Sequence, residues 1–313
     1  MDGTRHPNYF RKGAKMNLIV ETDLGRDPDD FFAILYLIAI GVNIRCVTIT
    51  PGHPDQVAIA RFIRDQLGLD FTIGAHKFHH EKRSSSGMHY KLLEKYKALD
   101  LDSVGARWQL PDGPSDELIS IALQECPDSE LLIIGPASNV HSYFKYIEQK
   151  KGPNLQFKRA TMQGGFCGYH IHRPHMCLEK FEGMTWNPTF NLNGDRPAGL
   201  AFINANIPER RFIGKNICHT VLYNEDIHRR IKPNNRASEL FKEGMDIYLS
   251  EHDEKKFHDP AAAVVHMYPH VVTWVKGTVQ KIEQGWGTII PGTDNIAVDL
   301  DYDKLWDHIT EFK

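Results

Sequence analysis

The sequence predicts an α/β fold: a doubly wound, mostly parallel open sheet flanked by helices, in a single domain. Two observations carry this. Short apolar, β-branched runs alternate with helix-length segments through the first half of the chain. Repeated βα units of that kind pack as a mostly parallel sheet with right-handed crossovers. In addition, no linker or composition break divides the 313 residues. One domain over 17–313 is therefore expected, after a polar N-terminal extension over 1–16.

The elements follow in order. The run Leu18 to Val20 reads as a buried strand, and Gly25 and Pro28 turn the chain into a largely buried helix from Asp29 to Gly41. A β-branched strand, Ile44 to Thr50, leads to a helix from about Pro54 to Leu67 and a short strand, Phe71 to Ile73. The stretch His76 to Ser86 is loop-like. Ser115 to Gln124 reads as a helix, Glu130 to Gly135 as a buried strand, Val140 to Gln149 as a helix, and Ala160 to Met162 as a strand ending in Gly164-Gly165. The later half is more helical, with helices near Pro197 to Asn204, Ala237 to Leu249 and Asp259 to Met267. It closes on a strand pair, Val271 to Ile282 with Ile296 to Leu300.

Composition bounds the function. With 41% hydrophobic residues the chain can bury a substantial core. No apolar run approaches the ~18 residues of a membrane span, so none is expected. A formal charge of −3 gives no general attraction to nucleic acid. Arg5, Arg11, Lys12 and Lys15 are not followed by the apolar segment of a signal sequence. Five cysteines without CxxC spacing fit a reducing cytosol, so a cytoplasmic protein is expected.

Chemistry concentrates in Asp23, Asp29 and Asp30, at the carboxyl end of the first strand and the start of the next helix. In open α/β sheets ligands bind there. Carboxylates packed together repel unless a cation or a proton holds them, and oxygen-only ligands suit Ca²⁺ or Mg²⁺. The alternative is that the acids only cap the helix and complement its dipole. Three other strand ends or helix starts carry residues able to converge on them: Gly135-Pro-Ala-Ser138-Asn139, Asn187-Pro-Thr189-Phe-Asn191, and Phe257-His258-Asp259-Pro260.

These segments together resemble the nucleoside hydrolases, the inosine-uridine-preferring ribohydrolase superfamily. The opening Glu21 to Asp30 is similar to their DxDxGxDD element and Gly135 to Asn139 to their GPLTN. Met162-Gln-Gly-Gly-Phe166 is similar to MGGAF, Pro188 to Asn191 with Asp195-Arg-Pro-Ala198 to AEFN…DPEAA, and His258-Asp259-Pro260 to HDPLA. The resemblance implies a Ca²⁺-dependent N-glycosidase with Asp23, Asp30, Asp259 and the carbonyl of Ile134 as metal ligands. Two ribose hydroxyls and a water would bring the shell to the roughly six to eight oxygens calcium prefers. It also implies Asp23 as general base, Asp29 and Asn191 on the ribose, and His258 protonating or hydrogen-bonding the leaving base. Without that resemblance His258 reads as a helix-start or core histidine.

The chain departs from the pattern in places. Arg26-Asp27-Pro28 occupies the place of a single residue in the opening loop, leaving Asp27 as a spare acid. His53 stands in the slot of an asparagine that contacts the ribose. Thr189 replaces the glutamate that binds the 5′-hydroxyl, which removes repulsion against a phosphate. Asn187 stands where the family has another amide. The stretch 166–187 is longer than usual and holds His170, His172, Arg173, His175, Cys177 and Lys180. A cover over the substrate is expected there ahead of a zinc site. Expected partners are a nucleoside or nucleotide substrate, with a homodimer or homotetramer implied. The alternative functions are a catalytically weakened calcium- and nucleoside-binding protein, or an N-glycosyl transferase.

Overall fold

A computed structural model of the chain describes residues 16–25, 27–77, 85, 87–98, 110–150 and 155–313. The extension expected over 1–16, apart from Met16, and most of the loop expected over His76 to Ser86 lie outside the described residues.

Strand β1 (Asn17–Thr22) sets the pattern of the core. Its alternate side chains point to opposite faces, so Leu18 and Val20 join one hydrophobic cluster and Ile19 the other. Helix α1 (Asp29–Ala39) is apolar on all sides beyond its first two acids, and every one of its residues is buried. The chain continues through β2 (Asn43–Ile49), α2 (Pro54–Leu67), β3 (Thr72–Gly74), α3 (Gly87–Lys95), α4 (Ser115–Glu125), β4 (Glu130–Ile133), α5 (Ser138–Lys150) and β5 (Ala160–Gln163). After two 3₁₀ turns (Pro174–Met176 and Glu179–Phe181) come β6 (Trp186–Asn187), α6 (Phe190–Gly194), α7 (Arg196–Asn204), β7 (Arg210–Ile213) and α8 (Lys215–Cys218). The remainder is β8 (Leu222–Asn224), α9 (Glu225–Arg230), α10 (Arg236–Leu249), β9 (Glu254–Lys256), α11 (His258–Met267), β10 (Val272–Ile282), β11 (Gly285–Leu300) and α12 (Tyr302–Glu311).

Among the described residues the main sheet has nine strands in the order β10-β11-β7-β5-β4-β1-β2-β3, with β6 also paired to β11. From β3 to β11 the pairs are parallel; β10 and β6 pair with β11 antiparallel. The chain runs from β1 outward to β2 and β3, then returns to place β4 on the other side of β1. Strand order therefore reverses between β1 and β4, and the ligand crevice of an open α/β sheet lies beyond the strand ends at such a point. Helices α1 and α11 pack on each other, both almost wholly buried, and their amino ends meet there.

The terminal hairpin differs from its expected extent. Strand β11 begins at Gly285 rather than Ile296 because β10 also supplies partners for 285–289 and 294–295. The register shifts between Gly277 and Thr278, where residues 290–293 are extruded. A Cβ on Gly292 would stand 2.2 Å from the Gly277 carbonyl carbon, so glycine is required at that crossing.

One buried histidine gives the fold a pH dependence. His89 on α3 presents its ring edge to Phe31, with centroids 5.4 Å apart, and burial pushes its pKa down to about 4. The unfolded chain takes up that proton near pH 6.5, whereas the folded chain does so only near 4. Stability is then fully present above 6.5 and falls as pH drops through that window, by about 3 kcal/mol from this group. Urea unfolding between pH 7 and 4 should show the decline, and His89→Gln should remove part of it. An unchanged slope in that variant would acquit His89.

Candidate active site

The end of β1 is pinned from beneath. The Thr22 hydroxyl donates to the Asp30 carboxylate and accepts from Leu24 N at 3.0 Å. Glu21 is wholly buried; its carboxylate accepts from Thr48, from Thr50 at 2.9 Å, and from Asn139 N and Nδ2 at 3.1 and 3.0 Å. Burial outweighs these donors and pushes its pKa up to about 8. The first acid of the opening motif thus ties β1 and β2 to the start of α5. On the other side, Gly135 follows β4. A Cβ there would sit 2.4 Å from Asp23 N and 2.9 Å from Asp23 Oδ1, so only glycine allows this approach.

Above that floor the acids gather. Asp29, Asp30 and Asp259 are 2%, 3% and 5% exposed, and one oxygen from each lies within 4.8 Å of the others. Burial, then the charges of Asp23 and Asp29, raise Asp30 well above the usual carboxylate range. Burial, then Asp29, Asp30 and Asp23, do the same to Asp259. Half-buried Asp23 therefore belongs to the same electrostatic group. Carboxylates so placed demand a proton or a cation, and an all-oxygen group could hold a hard metal ion. The Ile134 carbonyl is brought to the same end of the sheet. Asn191 Nδ2 donates to it at 3.0 Å, and to the Gln163 main-chain and side-chain oxygens at 2.9 and 2.7 Å.

Asp29 is occupied differently from its neighbours. Its Oδ2 accepts from the main-chain amides of His258 at 3.1 Å and Asp259 at 3.4 Å, at the amino end of α11. Its Oδ1 faces the Lys255 ammonium at 3.5 Å. Lys255 is 6% exposed, and its Nζ also lies 2.8 Å from Asp27 Oδ1 and donates to Lys256 O at 2.8 Å. Burial opposes its charge, yet Asp29 and Asp27 together hold its pKa above the ordinary lysine value. The spare acid of the long opening loop thus has a partner. Nothing in Glu254-Lys-Lys256 singled out Lys255 in the sequence, because its role depends on β9 passing the start of α1.

The other wall is aromatic and basic. His258 stacks on His219, with centroids 4.9 Å apart at 27°. Its Nδ1 lies 3.7 Å from Asp29 Oδ2, and its Nε2 is buried without a hydrogen-bond partner among the described residues. Burial, then the Lys255 ammonium, push His258 down to about 4, so the imidazole is neutral near pH 7. Phe181 from the second 3₁₀ turn meets His219 edge-on at 5.5 Å and Phe166 at 5.2 Å. The long 166–187 stretch therefore packs beside His258. Two of its histidines turn elsewhere: His172 Nδ1 contacts Arg173 O at 2.8 Å, and His175 Nε2 contacts Asp299 at 2.7 Å. Among the described residues no His/Cys group in this stretch is close enough for a metal.

The remaining expected residues lie around these. Thr189 is buried and its hydroxyl accepts from Gly165 N at 3.4 Å. Asn187 Oδ1 accepts from Lys215 Nζ at 2.8 Å, and Pro188 O from the same ammonium at 3.0 Å. His53 precedes α2. Its amide donates to Gln56 Oε1 at 2.8 Å, while Gln56 Nε2 donates to Asp23 O at 3.1 Å, so one glutamine spans from His53 to the acid. Sequence reasoning missed Lys255, His219, Lys215 and Gln56 as parts of this surround.

No protein-family model matches the chain. An uncharacterised protein of Aquifex aeolicus (strain VF5) is 25% identical over 301 residues, covering 91% of this chain and 94% of that protein. Among solved structures, a plant nucleoside hydrolase has a TM-score of 0.66 at 15% identity, covering 95% of this chain and 98% of its own. A purine-preferring ribonucleoside hydrolase from Gardnerella vaginalis gives 0.65 at 18%, covering 94% and 96%. An inosine-uridine preferring nucleoside hydrolase from Bacillus anthracis gives 0.61 at 16%, covering 95% and 98%. The chain therefore has the nucleoside hydrolase fold over about 95% of its length, far diverged in sequence from the enzymes whose architecture it shares.

Proposed function

We propose that the chain is a Ca²⁺-dependent N-glycosidase, hydrolysing the ribose–base bond of a ribonucleoside or related nucleotide to ribose, or ribose phosphate, and free base. The observation that carries this reading is the buried group of Asp29, Asp30 and Asp259 beside Asp23, at the switch point of a nucleoside hydrolase fold. Asp23, Asp30, Asp259 and the Ile134 carbonyl would hold the ion, since Asp29 is already engaged by two amides and Lys255. When bound, calcium supplies Lewis acidity and a fixed positive charge.

The side chains do the rest. Asp23, the least buried of the four acids, takes a proton from the attacking water. The water oxygen bonds to C1′ as the C1′–N bond breaks through an oxocarbenium-like state. Asp29 and Asn191 orient the sugar, each immobilised by its own hydrogen bonds. His53, Asn187 and Thr189 complete the sugar's surround. The free Nε2 of neutral His258 hydrogen-bonds the departing base, which takes its proton from solvent.

The test is direct. Calcium-loaded protein is incubated with a panel of nucleosides and 5′-mononucleotides, and free base is followed by chromatography. Base should appear from at least one member, and Asp23→Ala should lower the rate by about 10³-fold, at the scale of losing a general base. No base from any member, with calcium still tightly bound, would leave a calcium- and nucleoside-binding protein instead.

A further inference from the structure

We propose that Lys180 and Lys215 form a phosphate subsite, so that the substrate of this site is a nucleoside 5′-monophosphate. This rests on the N-glycosidase reading and narrows it.

Lys180 contacts His219 and Lys215 shares the Phe181 ring with it, beside the His219–His258 stack, and among the described residues neither lysine has a carboxylate within 4 Å. Lys215 is half-buried, and its ammonium is held by neutral oxygens, Asn187 Oδ1 and Pro188 O. Lys180 donates to His219 Nδ1 at 2.8 Å, which makes that ring a neutral acceptor. Both ammonium groups stand over the Phe181 ring, at 5.0 and 5.9 Å from its centroid. Burial and then Lys180 lower the pKa of Lys215, and burial and then Lys256 lower that of Lys180. The charges of Lys180 and Lys215 thus repel each other. Buried Lys255 next door has two carboxylates, so the shortage is local to this cluster. Uncompensated cations facing a site are the counterpart of an anionic ligand.

Placement selects the 5′ end of the sugar. Lys215 is tied to 187–188, immediately before Thr189, and Asn191 two residues on contacts the Ile134 carbonyl at the metal side. A single stretch, 187–191, therefore links Lys215 to the metal side. In the orientation the resemblance implies, with the sugar diol at the acids and the 5′ carbon at residue 189, the 5′ substituent runs toward Lys215. Thr189, where the resemblance expects a glutamate, leaves no carboxylate there to repel a phosphate. Two ammonium groups also fit a phosphate better than a hydroxyl, because charge-assisted hydrogen bonds are about twice as strong as neutral ones.

The experiment compares two paired probes on the calcium-loaded full chain. Base release is measured for inosine against inosine 5′-monophosphate and for uridine against uridine 5′-monophosphate. Binding of ribose 5-phosphate against ribose is measured by calorimetry, which needs no turnover. The monophosphates should be preferred in kcat/KM by about 100-fold, and in the Lys180→Met/Lys215→Met double variant that ratio should fall at least tenfold. Lys180→Arg/Lys215→Arg should keep most of the preference, and calcium affinity should report that each variant is folded. Equal or better turnover of the unphosphorylated nucleosides would overturn the subsite while leaving the hydrolase standing. Equal loss on both substrates in the methionine variant would also overturn it. Lysine-dependent binding of ribose 5-phosphate without base release from any substrate would do the reverse: the subsite holds and the hydrolase fails.

Discussion

Asp259→Asn is expected to abolish calcium binding and base release together, and to stabilise the calcium-free protein. The two effects have one cause. Burial and the neighbouring acids raise both Asp30 and Asp259, so without a cation the fold must either protonate these groups or bear their repulsion. Removing one charge relieves the other. With calcium present the order should invert, because an ion bound only by the folded chain stabilises it by about 4 kcal/mol at a thousandfold excess over Kd. Thermal unfolding in chelator and in millimolar calcium checks both halves. If calcium raised the midpoint of the variant as much as that of the unaltered chain, Asp259 would not be a ligand.

Lys255→Met should cost about 3–5 kcal/mol in calcium-free buffer, the scale of stripping one partner from a buried ion pair. Asp29 is left buried beside Asp30 and Asp259, its carboxylate still accepting from the two amides but without the ammonium. Asp27→Asn, at the half-exposed end of the same network, should cost no more than about 1 kcal/mol. Adding Asp29→Asn to Lys255→Met should recover much of the loss, since the orphaned charge is then gone. Urea unfolding of the four proteins tests this. A loss below about 1 kcal/mol for Lys255→Met would show that Asp29 does not depend on that lysine.

Much of the architecture was legible because local pattern and fold agree in it. The all-apolar run after Asp30 can only be a buried helix, and the β-branched stretches at 44–50 and 130–135 became central strands. The first turns of α1 and α11 could be recognised because acids at such starts stand out against apolar sequence. What stayed hidden was pairing at long range. Lys255 sits in a polar tripeptide like many others, and only the antiparallel β8–β9 ribbon brings it to Asp29. Lys215 opens the short helix α8 and His219 caps its end, with no periodicity to announce it. Strand β11 was underestimated because Gly285, Gly287, Pro291 and Gly292 look like turn residues until β10 is placed alongside. The extra residues at 26–28 marked a departure, but their partner was 228 positions away from Asp27, at Lys255.

The paired burial of α1 and α11 has a bearing on how this protein can change. Their amino ends present the acids, and their bodies are the centre of the hydrophobic interior. Adjusting the acids means disturbing the interior, so the acid cluster is conservative by construction. The residues that face it from 166–187 and 215–219 are held by a few ring and ammonium contacts. The exposed and half-buried positions there, Lys180, Lys215 and His219, are the tolerant ground, and a library confined to those three should change what the site accepts at little loss of folded protein.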